Sequence, residues 1–500
     1  MKAKITTTFA ANGKGYPVTK DLPVTIEADE ERHVENGVLN IYPQIRYQKI
    51  EGFGAAMTET SAYLFSQMDE ATRKEALGKY FGDDSNQLTF LRMSIDSCDY
   101  SLEEYQAVDD PTADPELKTF NLDRDHIYTL PMMKEALALA KQPIQVLLAP
   151  WSPPAVLKTP PAAPKNDAAT YGAAAGPFAA MMGGQIDYTK PQRCNGGSLK
   201  HEYYGIWAKY LVKFTQAYLD EGIPVTMLSL QNESVAATTW DSCVWEAEEL
   251  KTFLKDYVYP EMEKAGLTDK VGIYIWDHNK ERMLEYAEVI IDDETDHMIE
   301  GIAFHWYSGD HFEAVQMTHE LYPDKVLFMD ECCVLHQPGM PGIADMIAGM
   351  IGGGISKAAE TQDYEDAVAY AHDIIGNFNA GTNRWEEWNL CVDEQGGPRH
   401  VPSGFGAGMI VHPDYSFDTN LTYDYIGHFS RYIKPGAVRI GSSRCDDKVE
   451  MLTAQNPDGS IAVVLLNKND KDVNYTIRIQ GKLIRILLPA RTISTMEIEE

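Results

Sequence analysis

Between about residues 50 and 390 the chain alternates short apolar runs with amphipathic stretches, and that alternation leaves few folds open. Eight runs are visible, at 49–56, 88–95, 144–150, 225–233, 271–277, 302–307, 325–331 and 384–390. Each is too short for an ordinary helix and rich in β-branched, aromatic or leucine residues, as strands buried on both faces are. Helical periodicities lie between them. Tyr204, Trp207, Leu211, Phe214 and Tyr218 recur at spacings of three and four, which puts all of them on one face that should pack on a sheet. Ala367, Tyr370, Ala371, Ile374, Ile375 and Phe378 repeat the pattern just before the eighth run. Strands alternating with helices in this number predict a parallel (β/α)8 TIM barrel, for which about 250 to 400 residues suffice.

The chain has 500 residues, so a second unit is expected. After residue 430 short strands separated by turns take over, at 450–455, 461–467, 474–479 and 483–489, with NPDG at 456–459. They predict an antiparallel β-sandwich as a side domain. The opening segment, with VTIEA and NIYPQI, is expected to add strands to it. The expected division is therefore 1–48 joining the sandwich, 49–429 forming the α/β barrel and 430–500 completing the sandwich. One segment breaks the barrel pattern. Residues 159 to 200 are rich in Pro, Gly and Ala, follow the third strand, and should form a wall or lid on the face where a barrel carries its active site.

With 43 basic against 75 acidic residues the net charge is -32, and no cluster of Lys or Arg stands out. Such a field repels nucleic-acid phosphates and anionic lipid surfaces, so a neutral small-molecule partner is expected and no nucleic acid. The seven cysteines, at 98, 194, 243, 332, 333, 391 and 445, are scattered and odd in number. That argues against a disulfide framework, and adjacent Cys332 and Cys333 do not have zinc-ligand spacing. The N-terminus shows no apolar leader core, so the cytoplasm is the expected compartment, with secretion open if a leader is removed. No run approaches the roughly 18 apolar residues of a membrane helix, so no integral membrane association is expected. The oligomeric state is not legible.

Two glutamates end barrel strands: Glu233 closes the fourth in SLQNES and Glu331 the seventh in LFMDEC. A TIM barrel turns strand-end side chains into one mouth, so residues distant in sequence can face one substrate. Cleavage of a glycosidic bond with retention needs that arrangement. One carboxyl group protonates the leaving oxygen while another, about 5 to 5.5 Å away, attacks the anomeric carbon. The same rim offers Arg92, Trp151, Asn232, His305, Trp306, Tyr307, Trp385 and Trp388, a mixture suited to a sugar's C–H faces and hydroxyl edges. Asp330 competes with Glu331 as nucleophile, but strand alternation should turn it to the opposite face. The negative nucleophile is expected to raise the acid's pKa by like-charge repulsion. His305, Asp310 and His311 form a weaker, metal-binding alternative.

Taken in order, GFGAAMTETSA (52–62), LRMSIDSCDYS (91–101), LLAPWSPPAVLKT (147–159), LSLQNES (228–234), IAFHWY (302–307), LFMDECC (327–333), WEEWNL (385–390), GGP (396–398) and YIGHFSRYIKPGAVRIG (425–441) cover nearly the whole chain. Through them the chain resembles glycoside hydrolase family 30, most closely its glucosylceramidase-like branch. The resemblance implies a retaining β-glycosidase with no metal or organic cofactor, with Glu233 as acid/base and Glu331 as nucleophile. It implies further that Asn232 binds the sugar 2-hydroxyl, that Arg92 and Tyr307 orient the nucleophile, and that Trp151 and Trp388 wall the first sugar subsite. His305 and Trp306 should frame its floor. Two positions depart from the family pattern: Glu59, where an aspartate usually grips distal hydroxyls, and Ser403, where an asparagine is common. The expected activity is hydrolysis of terminal β-glucosides, whether small-molecule, oligosaccharide or glycolipid. β-Xylosidase, β-fucosidase or β-1,6-glucanase activity is the alternative, and a non-catalytic carbohydrate-binding protein a remoter one.

Overall fold

The computed structural model describes residues 1–10, 18–30, 37–162, 187–334, 359–401 and 405–499. Eight parallel strands close a barrel in chain order: Gly52–Ala56, Phe90–Ile95, Gln145–Pro150, Val225–Ser229, Gly272–Asn279, Gly301–His305, Val326–Glu331 and Arg384–Asn389. All eight apolar runs are barrel strands, with edges moved by a few residues. Lys49 and Ile50 belong instead to the long preceding strand Val38–Ile50 of the other unit. Residues 230–233 leave the fourth strand as a turn, which frees Glu233 from the sheet.

The barrel is filled. Phe90, Leu147, Met227, Tyr274, Ala303 and Phe328 meet at its centre, and Arg384 lays its guanidinium 4.9 Å from the Phe90 ring while donating to the Tyr274 hydroxyl at 2.7 Å. This is the layered core of the fold rather than a pore. The GFG segment is required by close approach, because a Cβ on Gly54 would stand 2.7 Å from the Phe90 Cβ and carbonyl oxygen. Outside, the helix Tyr204–Asp220 buries Trp207, Leu211, Phe214 and Tyr218 completely. The helix Ala359–Ala380 does the same with Ala367, Tyr370, Ala371, Ile374 and Phe378.

The second unit is a ten-stranded β-sandwich around Ile5, Leu39, Ile440, Val463, Ile477 and Met496. The four C-terminal runs appear as Val449–Gln455, Ile461–Asn467, Val473–Ile479 and Lys482–Leu488. Ala437–Arg444 and Thr492–Glu499, which the turn pattern did not single out, add two more strands. Lys2–Phe9 pairs antiparallel with Thr492–Glu499, so the two ends of the chain lie side by side. His428 of the helix Leu421–Ser430 joins the units, its ring nitrogens 2.8 Å from Thr495 Oγ1 and 2.9 Å from Thr8 Oγ1. All seven cysteines are free thiols. Among the described residues no helix is long and apolar enough to cross a membrane.

Candidate active site

Arg92, on the second barrel strand and fully buried, organises the C-terminal mouth of the barrel. Its Nη1 donates to Glu331 Oε2, and its Nη2 to both Asn232 Oδ1 and Asp277 Oδ1 at 2.7 Å. The indoles of Trp151 and Trp388 lie 4.8 and 5.5 Å from the guanidinium carbon. They stack on each other with ring centres 5.1 Å apart, and so form one joint wall rather than two facing ones. One cation thus ties together the ends of strands three, four, five, seven and eight. A barrel assembles residues in this way that no local segment could.

Glu331 receives a second hydrogen bond, 2.9 Å long, from the Tyr307 hydroxyl, which also meets Cys333 Sγ at 3.1 Å. Asp330 is not turned to the opposite face. Strand six pairs Phe304 with Met329 and then His305 with Glu331, a bulge that skips Asp330, and such a bulge lets consecutive side chains reach one side. Asp330 Oδ2 therefore lies 3.3 Å from Arg92 Nε and Oδ1 3.6 Å from His305 Nε2. What separates the two acids is access. Asp330 is sealed, and burial followed by the Asp277 charge pushes its carboxyl well above the aspartate range, whereas Glu331 keeps 7% of its surface open. Burial raises the Glu386 carboxyl in the same way.

Glu233 sits in the turn after strand four with φ 50, a left-handed backbone that a non-glycine residue adopts at a cost. Its amide donates to the Asp277 carbonyl at 2.7 Å. Its Oε1 faces His305 Nδ1 at 3.5 Å and His278 Nδ1 at 3.6 Å. Burial alone would raise this carboxyl, but the two imidazoles outweigh it and hold Glu233 below the ordinary glutamate value. The like-charge repulsion expected from the sequence is not what governs it. Burial works against a charge on His305 too, yet Glu331, Asp277, Glu233 and Asp330 raise it well above the ordinary histidine. His305 Nε2 bonds Asp277 at 2.8 Å, and its Nδ1 stands 3.9 Å from Glu331 Oε1. A single imidazolium thus bridges Glu233 and Glu331. Their separation cannot exceed the two distances to it combined, which admits the roughly 5 to 5.5 Å of a retaining pair.

The expectations drawn from the sequence leave out Asp277, His278 and Asp99. Asp277 ends strand-five run 271–277 as Glu331 ends the seventh, so the strand-end rule applied to it equally. Burial opposes its charge, but Arg92, His305 and Ser229 hold it well below the aspartate range. Asp99 lies in the loop after strand two, and burial, then Glu331 and Glu233, push it well above that range. Its neighbours Cys98 and Tyr100 pack with Trp151 and Trp388. No strand-end signal marks it.

Glu59 is not brought to this cluster. It opens the helix Glu59–Gln67, and its two oxygens take Arg124 Nε at 2.5 Å and the Leu102 amide at 2.9 Å. Trp385, expected on the rim, is fully buried with its Nε1 donating to Asp373 Oδ2. Trp306 packs on Tyr370 and donates to the Cys333 carbonyl. His305, Asp310 and His311 do not converge, since Asp310 pairs with His372 at 3.1 Å. Ser403 and most of the 159–200 segment lie outside the described residues.

Residues 50–178 and 186–433 match the family model described as the glycosyl hydrolase family 30 TIM-barrel domain, and residues 436–496 match the beta sandwich domain of that family. The lysosomal acid glucosylceramidase of Mus musculus is 27% identical over 452 residues, covering 88% of this chain and 79% of its own. The crystal structure of SrfJ from Salmonella typhimurium has a TM-score of 0.84 at 30% identity, with 100% of both chains covered. The endo-beta1,6-glucanase BT3312 has a TM-score of 0.79 at 26% identity, again over 100% of both chains.

Proposed function

The chain belongs to glycosyl hydrolase family 30 and is a glycoside hydrolase, and from that premise we propose that it is a retaining β-D-glycosidase that removes terminal β-glucosyl groups. Glu331 attacks the anomeric carbon while Glu233 gives its proton to the leaving oxygen, forming a covalent glycosyl-enzyme that water then hydrolyses. The observation that carries this reading is the convergence on Arg92, which fixes Glu331 and Asn232 from two strands around one point. Arg92 and Tyr307 aim the nucleophile by hydrogen bonds to its two oxygens. The His305 imidazolium, 3.5 Å from Glu233, stores the proton that Glu233 needs. When the glycosyl bond neutralises Glu331, Glu233 serves as the base. Trp151 and Trp388 offer the sugar an apolar wall, and Asp99 a hydrogen-bonding group beside it.

The glucosylceramidase relative supports a β-glucoside as substrate. The likeness to an endo-beta1,6-glucanase favours a second reading, in which the substrate is a β-1,6-linked glucan. A panel of an aryl β-glucoside, dispersed glucosylceramide, β-1,6-glucan and an aryl β-xyloside decides between them. Turnover of the β-glucoside with β-configured glucose as the first product is expected. Turnover of the glucan or xyloside alone would overturn the preferred substrate, and an α-configured first product would overturn retention.

A further inference from the structure

Two buried histidine nitrogens at the mouth have no hydrogen-bond partner, His278 Nδ1 and His305 Nδ1. Leaving such a group unpaired costs free energy, so its direction is informative. Both point at the same atom, Glu233 Oε1, from 3.6 and 3.5 Å. All three donor atoms lie within 4.8 Å of one another. In a tetrahedral site with metal–ligand bonds near 2.0 to 2.1 Å, neighbouring donors stand about 3.3 Å apart. The two carboxylate–imidazole edges are thus within a few tenths of an ångström of that spacing. The orienting contact is present as well. Asp277 accepts from His305 Nε2 at 2.8 Å and is itself held by Arg92 and Ser229, which fixes the ring with Nδ1 presented as a ligand.

We propose that Glu233, His278 and His305 form a binding site for a borderline divalent cation such as Zn²⁺, which acts there as an inhibitor rather than as a cofactor. Two imidazoles and one carboxylate suit zinc and not magnesium, which prefers oxygen donors and near-ideal octahedra. His305 Nδ1 releases its proton to solvent on binding. The ion occupies the carboxylate proposed to act as acid/base, so a bound ion and turnover exclude each other.

The test titrates Zn²⁺ alone into the full chain by calorimetry, against His278→Gln and Glu233→Gln, all carrying Cys445→Ser to remove the exposed thiol. Two partly exposed histidine–carboxylate sets, around His372 and His412, give a background that all three proteins share. One zinc more per chain is expected in the parent, with affinity at least about tenfold weaker in each variant and no binding of Mg²⁺ at this site. Zinc should also stop hydrolysis by the parent, with EDTA restoring it. Equal zinc binding in all three proteins, or Mg²⁺ binding as tightly as Zn²⁺, would overturn the proposal. The calorimetric readout needs no turnover, so a failure of the proposed activity and a failure of this site are distinguishable.

Discussion

At the scale of single residues, the mouth of the barrel shows how burial sorts chemically similar acids. Asp330 and Glu331 are adjacent and share Arg92, but only Glu331 has both solvent access and a hydroxyl donor. Glu331→Gln should lower kcat by at least about 10³-fold, because it removes the proposed nucleophile while leaving its shape. Asp330 is sealed away from the substrate, so Asp330→Asn should leave kcat within about tenfold of the parent. A steady-state comparison of the two variants on one aryl glycoside checks both, and equal losses would refute the division of roles. Arg92→Lys should cost about 10²-fold or more in kcat, since a point charge cannot bond Glu331, Asn232 and Asp277 together as a guanidinium does.

At the scale of elements, the sequence pattern reports what is buried more faithfully than where an element ends. The five aromatic and leucine positions spaced along Tyr204–Asp220 form its packing face. Trp207→Ala empties a fully buried indole site and should cost about 3 to 5 kcal/mol of stability. Chemical denaturation measures this, and turnover per folded molecule should stay unchanged because Trp207 touches none of the strand-end acids. Strand ends behave differently. The irregular pairing of Phe304, His305 and Glu331 decides which acid faces the mouth, and a strict period of two points Asp330 the wrong way. A bulge leaves no mark in composition, because it is set by the pairing of two strands and not by either alone.

At the scale of the whole molecule, stability should depend on pH through carboxyl groups that the fold keeps protonated. Burial raises Asp96 and Asp424 to about 6, Asp125 to about 7 and Glu387 to about 8. Unfolded, such groups release their protons near pH 4. Between those values the folded state binds more protons, so stability falls as pH rises from about 4 to about 8. His428 acts in the other sense. Burial between the two units lowers it to about 3, and its stabilisation is lost as pH falls below about 6.5. Four carboxyl groups outweigh one imidazole, so a maximum near pH 4 and a net decline above it are expected from thermal midpoints. Glu387→Gln should flatten the decline above pH 6 by on the order of 1 kcal/mol per pH unit, and an unchanged slope would show that Glu387 is already ionised.

The sequence by itself determined the architecture and the identity of the main acids. Eight buried-strand runs, helical faces between them and a late change to turn-punctuated strands follow from local hydrophobic periodicity, which a chain carries in its order of residues. Glu233, Glu331, Arg92, Asn232, Trp151, Trp388, His305 and Tyr307 were legible because they sit at or near strand ends, and the structure gathers all of them at one mouth. Only the tertiary structure decided their electrostatics and their company. It placed His278 and His305 against Glu233, turned Asp330 inward, brought Asp99 in from a loop and took Glu59 away to Arg124. Those outcomes depend on distances between segments far apart in the chain. Charge and desolvation act across space, and no spacing along the sequence encodes them.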